Sequence, residues 1–408
     1  MPVKTNLEYT AARELLLNYV NPIDAVRVSV DAAELPGMIL AEDVIAAENV
    51  PPFDRSPYDG YAFRAADTAG ADRAHPVTLR IREEIPAGAM WTQAVTPGTA
   101  AKILTGAPIP SGADAVVKYE ETEYTGEAVT IFAPFSAGEN IVPQGEDVTA
   151  GDVLAERGTV IDPALLGVLA AQHMTRPLVY RRPAVAVITT GSELAGPEEA
   201  LSGGRIVNTN LYSFRAEAER LGCGCTAHTV KDDPEAIAEV IRQALENSDL
   251  VITTGGVSVG DYDYTPDAME RAGAELLIRT VKLKPGGACC YGVKDGKLIC
   301  GLSGNPASAM TNFYAVATPA LRKLCGYAEP HLTEIPVILA EGFPKKSPKT
   351  RLIRGTLDLS DGTAKMHVSR AQGNGVLHSL AGCDLLAEIP AGSGALPAGA
   401  RLNAYLIP

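Results

Sequence analysis

The chain has 408 residues, 46% of them hydrophobic and 21% charged, with a formal net charge of -14 at pH 7. That length exceeds one ordinary core and implies two to four domains, and the composition is that of a globular chain, not a disordered one. So large an acidic excess argues against nucleic acid or an anionic membrane as partner, and no run approaches the ~18 apolar residues of a membrane span.

The first twenty residues carry no charged segment leading into an apolar one, and their apolar positions are spaced as on an amphipathic helix over about 9–19. A cytoplasmic protein is expected. A short extended piece and a second short helix near 30–45 follow. "PPFDRSPYDGYAF" at 51–63 then reads as a stiff, exposed loop, because Pro52 and Pro57 push their predecessors out of the α region and Asp59-Gly60 is a turn signal. From 78 to 133, short β-like runs broken by "PAGA", "TPGT" and "YTGE" predict a β-rich insertion. Asp162-Pro163 opens a helix as N-cap and first-turn residue, and that segment would join the N-terminal residues in one discontinuous domain, 1–45 plus 140–180, around an insertion domain 46–139.

Strand, loop and helix alternate from Pro183. "AVAVITTGSEL" and "LVITTGGVSV" are buried strands that run into glycine-rich loops. A helix at 210–221 carries Leu211, Phe214, Ala218 and Leu221 on one face, and a second, capped by Asp233 with Pro234 at its first position, carries Ile237, Val240, Ile241 and Leu245. A helix near 266–273, strands around 277–293 and "LICGLSGNPAS" leading into a long helix complete a doubly wound α/β domain, 181–329, with its ligand crevice at the carboxyl ends of the strands. Residues 330–408 return to short strands, with Ser360-Asp361-Gly362 as a hairpin turn, and read as a small β-barrel or sandwich domain.

Three loops converge on that crevice: 190–193, 253–264 and 301–308. Thr190, Gly191, Ser192, Gly255, Gly256, Ser258, Gly260, Ser303, Asn305 and Pro306 would bring backbone N–H groups up to an anion. Glu193, Asp232, Asp261 and Asp263 would surround the same crevice, a set suited to one Mg²⁺ completed by phosphate oxygens and water. Arg279, Lys282 and Lys284 supply opposite charge, with 282 and 284 on one face of a strand-like run. The G-x-S-x-G at 256–260 is set aside as a hydrolase nucleophile, since the later histidines all fall in the β-rich tail. The seven cysteines are odd in number and irregularly spaced, so Cys223-x-Cys225 and Cys289-Cys290 read as small buried residues; six scattered histidines without H-E-x-x-H predict no zinc.

Together "PPFDRSPYDGYAF", "ILTGAPIPSGADAVVKYEET", "PQGEDVTAGDVL", "VAVITTGSEL", "DLVITTGGVSVGDYDYT" and "GLSGNPASA" resemble the MoeA family of molybdopterin molybdotransferases, which includes the gephyrin E domain. The resemblance spans nearly the whole chain. It implies an elongated four-domain subunit in a homodimer, and insertion of molybdate into adenylylated molybdopterin with Mg²⁺-assisted release of AMP. It also implies catalytic roles for Asp59, Thr105, Asp147, Glu193, Asp232 and Asp263, of which Glu193, Asp232 and Asp263 hold the metal. A molybdopterin adenylyltransferase and molybdoenzyme chaperones are implied partners.

Two motifs depart from the family pattern. Lys284-Pro285-Gly286-Gly287-Ala288 stands where K-P-G-K-P is usual, and Ser303 replaces the first proline of G-L-P-G-N-P. Such changes leave open a tungstate-selective paralogue, with Arg351, Arg354 or Arg370 replacing the lost charge. A nucleotide or pyrophosphate hydrolase of related α/β domain and a scaffold module are the other readings.

Overall fold

The structure, a computed structural model, describes residues 2–89, 91–258 and 264–407. The chain divides into two compact units, one of 1–42, 157–163 and 176–408, the other of 43–156 and 164–175.

The larger unit is built on a six-stranded mixed sheet in the order Gly224–Val230, Ala184–Thr190, Leu250–Thr254, Lys297–Leu302, Ala288–Lys294, Glu275–Thr280. The first four strands are parallel and the last two form an antiparallel edge. Period-2 alternation in the strand Ala184–Thr190 divides its side chains between two cores. Val185 and Val187 meet Phe214 and Ala218 of the helix Thr209–Arg220 and Leu16 of the helix Tyr9–Leu17, while Ala186 and Ile188 meet Ile237, Ile241 and Leu245 of the helix Pro234–Asn247. The doubly wound domain read from the sequence is therefore present. Asp233 caps its helix as expected, accepting from the Ala236 N–H at 2.7 Å. Cys289 and Cys290, adjacent on one strand, point into the two different cores and cannot share an ion. All seven cysteines are free.

The tail is a closed five-stranded barrel, Glu334–Leu339, Lys365–Val368, Arg351–Asp358, Leu385–Ile389, Arg401–Leu406, and the hairpin turn at 360–362 joins two of its neighbours, with Leu357 opposite Met366. On the strand Arg351–Asp358, Ile353 and Leu357 pack inside the barrel, whereas Leu352 packs into the core shared with the α/β sheet. The Tyr9 hydroxyl meets Glu388 and the Tyr405 hydroxyl, tying the first helix to the barrel.

One element differs from expectation. The stretch 30–45 forms turns, isolated bridges and the short strand Val44–Ile45, not a helix, since Gly37 takes a left-handed φ of 83° and its N–H bonds to Ile161 O at 2.8 Å. Leu35, Ile39 and Leu40 are buried there as a wedge.

The second unit holds a six-stranded sheet in the order Ala115–Lys118, Gly60–Phe63, Thr99–Ile103, Val77–Ile85, Ala128–Ile131, Thr122–Tyr124. The β-rich insertion is thus present, and the motif at 51–63 is loop only through Asp59. Gly60–Phe63 is a fully buried inner strand, and Asp59-Gly60 is its entry and not a turn. Gly60 is required by close approach: a Cβ there would lie 1.9 Å from Val117 O. The helix Pro163–Ala171 buries only Leu169 although all nine residues are apolar. Among the described residues no helix is long and apolar enough to cross a membrane.

Candidate active site

The strand order of the larger sheet reverses at Ala184–Thr190, whose parallel neighbours lie on opposite sides, and a cleft opens there at the carboxyl ends of the strands. It has a volume of about 550 Å³ and is lined by the three glycine-rich loops, by Glu193 and Asp232, and by Asn208 and Asn210. Its glycines serve backbone approach. A Cβ at Gly255 (φ 105°) would lie 2.5 Å from Thr190 O, and one at Gly191 would meet the Glu193 carboxylate at 2.6 Å. Glu193 therefore folds back over Gly191. Asp232 Oδ2 accepts from the Ser192 N–H at 2.8 Å, which ties the first loop to the segment after the strand Gly224–Val230.

Ser303 is buried and its Oγ accepts from the Asn305 N–H at 3.2 Å, closing the turn that leads into the helix Pro306–Asn312. That helix continues through a π turn, Phe313–Ala317, into Thr318–Cys325. Ser258, Ser303 and Asn305 line both the first cleft and a second of about 410 Å³ that extends to Lys284, Gly287 and Lys349. Ser258, Gly287 and Lys349 also line a third, of about 250 Å³, with Arg279 and Asn6. Carboxylates thus occupy one end of a joined crevice and cations the other.

The expected face shared by Lys282 and Lys284 does not form, because the strand ends at Thr280 and 281–287 is a folded loop. Lys282 donates to Glu8 at 2.8 Å, while Lys284 lines the second cleft and its backbone pairs with Thr350 and Leu352. Arg351 and Arg354 are turned away from solvent. Arg351 donates to Ser347 Oγ at 3.0 Å, and Arg354, fully buried, donates to Gly373 O at 3.2 Å, with burial lowering the pKa of both. Arg370 is exposed.

In the second unit, the loop 51–59 is zipped between two others. Ser56 exchanges backbone hydrogen bonds with Gly106 and Ala107, Arg55 with Val142 in both directions, and Asp147 N–H donates to Val50 O. Asp59 and Thr105 are brought together: Asp59 Oδ1 accepts from the Thr105 N–H at 2.7 Å and from its hydroxyl at 2.8 Å. These bonds, the backbone one foremost, hold the exposed Asp59 carboxyl below its usual pKa, with Lys102 adding a smaller pull. Asp147 is exposed on the neighbouring loop. Gly260, Asp261 and Asp263 lie outside the described residues, and among those described no three His, Cys, Asp or Glu side chains form a metal-holding group.

Three family models match in order: the MoeA N-terminal region (domain I and II) at 7–172, a probable molybdopterin binding domain at 186–323, and the MoeA C-terminal region (domain IV) at 336–407. Similar to it are the molybdopterin molybdenumtransferases of Staphylococcus aureus strain MSSA476, 38% identical over 97% of this chain and 94% of that one, and of Staphylococcus epidermidis, 37% identical over 94% and 92%. The chain belongs to the MoeA family. A molybdopterin biosynthesis MoeA protein from Pyrococcus horikoshii OT3 superposes with a TM-score of 0.84 at 31% identity, covering 98% of this chain and 100% of that one. The protein is accordingly a transferase of molybdenum cofactor biosynthesis.

Within the MoeA pattern, the two departures have local physical accounts. Ser303 makes by a hydrogen bond the turn that a proline would make by its ring. At Gly287 a Cβ would lie 2.8 Å from Leu283 O and 3.0 Å from Val281 O, so this loop has closed around the absence of a side chain. Sequence reasoning missed Asn208, Asn210, Arg279's cleft and Lys349. Asn208 had a visible signal, being an N-cap type just before the helix Thr209–Arg220, where its Oδ1 accepts from the Leu211 N–H at 3.3 Å. Lys349 had only the lysine-rich run 345–349 before a strand.

Proposed function

We propose that this MoeA-family transferase inserts molybdate into adenylylated molybdopterin and releases AMP, acting as a homodimer in the cytoplasm. The observation that carries the reading is the two-ended crevice, with Glu193 and Asp232 at one end and Lys284 and Lys349 at the other, joined through Ser258, Ser303 and Asn305. A substrate that is a phosphoanhydride at one end and receives an oxyanion at the other asks for that separation of charge.

The donor set fits Mg²⁺, which is commonly bound through one or two carboxylates plus phosphate and water. Among the described residues, Asp232 has one oxygen engaged by Ser192 and the other without a partner, and Glu193 stands exposed across the same cleft. Glu193 and Asp232 would hold the ion, with Asp263 as a proposed third ligand; when bound, it supplies charge neutralisation at the anhydride. The chain's own residues do the rest. Backbone N–H groups of the glycine loops orient the phosphates, and the cations of the second cleft hold molybdate; one of its oxygens attacks the pterin-side anhydride phosphorus as the bond to AMP breaks, and the dithiolene sulfurs then displace the phosphate oxygen and an oxo group, lost as water, from the molybdenum without change of its oxidation state. Asp59, kept ionised by Thr105, and Asp147 are proposed to complete the site from a second subunit. The apolar helix Pro163–Ala171, with one residue buried, supports such a partner. An adenylyltransferase that hands over the substrate and a chaperone that takes the product are the proposed protein partners.

The test is AMP release from adenylylated molybdopterin with Mg²⁺, with and without molybdate. Release that requires molybdate supports the reading. Release with water alone supports the pyrophosphate hydrolase instead, and release with tungstate in preference to molybdate identifies the tungstate-selective paralogue.

A further inference from the structure

We infer that Cys223 and Cys325 are a reversible oxidation site, two thiols placed to form one disulfide that staples the far ends of the two helical rods whose near ends line the first cleft. Their Sγ atoms lie 4.0 Å apart although 102 residues separate them in the chain, and among the described residues no other two cysteine sulfurs meet. Both sulfurs face one carbonyl, Leu221 O, at 4.0 and 3.9 Å. A disulfide bond is about 2.0 Å long, so each sulfur has about 1 Å to travel, a small rotation about its Cα–Cβ bond.

The place of the pair in the fold gives the bond its consequence. Cys223 follows the helix Thr209–Arg220, and its N–H donates to Ala218 O at 2.9 Å. Cys325 is the last residue of the helix Thr318–Cys325, which is reached from Pro306 through the π turn. At the cleft, where Thr209 and Pro306 both stand, Asn210 Nδ2 donates to Gly304 O at 2.9 Å. Midway, Phe214 meets the edge of Phe313 with ring centres 5.4 Å apart, and the Tyr314 hydroxyl donates to Glu217 at 3.2 Å. The two rods therefore touch from the cleft to the sulfurs, and there oxidation makes the contact covalent.

The oxidant is a peroxide. One sulfur attacks it, the O–O bond breaks, water leaves and a sulfenic acid remains; the second sulfur then displaces that hydroxyl as another water and the S–S bond forms. Two electrons pass from the sulfurs to the peroxide, and the two thiol protons leave in the two waters. A dithiol reverses the step by exchange. The hydrogen bond with Cys325 and burial raise the Cys223 pKa, so the thiol stays protonated and brief exposure leaves the pair reduced. Cys225 stands outside the pair, its Sγ turned to Thr226 O at 3.5 Å.

The test is peptide mapping by non-reducing mass spectrometry of the full, folded chain after prolonged treatment with hydrogen peroxide, comparing wild type, Cys223→Ser, Cys325→Ser and Cys225→Ser. Wild type and Cys225→Ser are expected to yield a peptide linked through 223 and 325, two hydrogens lighter than the sum of its parts, and the other two variants to yield none. Closing so long a loop is expected to raise the thermal midpoint of wild type by about 5 °C or more, and dithiothreitol to return it. Cys223→Ser shows neither change. Wild type decides the matter even where a variant folds poorly: absence of the linked peptide, its formation only in urea, linkage of Cys225 in its place, or a midpoint that the linkage does not move each overturns the inference.

Discussion

Asp59 holds its carboxylate in solvent while accepting two hydrogen bonds from Thr105, and its immediate neighbour Gly60 is wedged against Val117 O. The two residues therefore fail in different ways when changed. Asp59→Asn removes charge from an exposed group, so the thermal midpoint is expected to stay put while molybdate-dependent AMP release falls by about 100-fold or more, the lower range for a group acting at a reacting centre. Release at the wild-type rate would remove Asp59 from the site. Gly60→Ala forces its inner strand away from the edge strand Ala115–Lys118 and is expected to cost about 1–3 kcal/mol or more, read from the urea midpoint. Here the sequence was half legible: the Asp-Gly pair stood out, but its glycine answers a strand 57 residues downstream, and nothing local distinguishes close approach from a turn.

At the scale of elements, the start of the strand Leu250–Thr254 is set by Asp249, which accepts from both Arg181 terminal nitrogens at 2.7 and 2.6 Å and from the Ala184 N–H at 2.7 Å. Burial works to raise the Asp249 pKa, but the Arg181 and Ala184 bonds outweigh it and the net shift is downward. A lowered folded pKa means stability that is present above the unfolded value of about 3.9 and is lost as pH falls through the folded value. Asp249→Asn is expected to cost about 1–3 kcal/mol at neutral pH, at the modest end because Arg181 is 36% exposed, and the gap to wild type should close in urea titrations below about pH 4. The α/β elements were legible because their signals are short-range: a buried run, a cap, a 3.6 period, as at Asp233 and Phe214. The turns at 30–45 were misread as helix because apolar residues at 35, 38, 39 and 40 mimic that period while Gly37 breaks it. The Lys282 and Lys284 pair was misread because the end of the strand at Thr280 depends on pairing across the sheet edge, which sequence spacing does not carry. Lys349 was invisible for the same reason, since its neighbour in space, Lys284, is 65 residues away.

For the molecule as a whole, the helix Pro163–Ala171 leaves Leu166 and Val168 only half-buried among exposed alanines. Leu166→Glu is expected to leave the thermal midpoint nearly unchanged at low concentration and to shift light scattering from dimer to monomer mass; dimer mass for this variant would free the helix from the interface, and monomer mass for active wild type would refute the dimer. The backbone pairing of Lys284 with Thr350 and Leu352, and the Tyr9, Glu388 and Tyr405 contact, have a different consequence. The α/β sheet and the barrel match separate family models, at 186–323 and 336–407, yet they share a ladder bridge and a core that includes Leu352, Leu386 and Tyr405. Units that share a core melt together, so inherited modules and cooperative units do not coincide in this chain. Scanning calorimetry should resolve two transitions, one per compact unit, with the barrel losing its structure in the same event as the sheet; a separate early barrel transition would show that the shared ladder couples nothing.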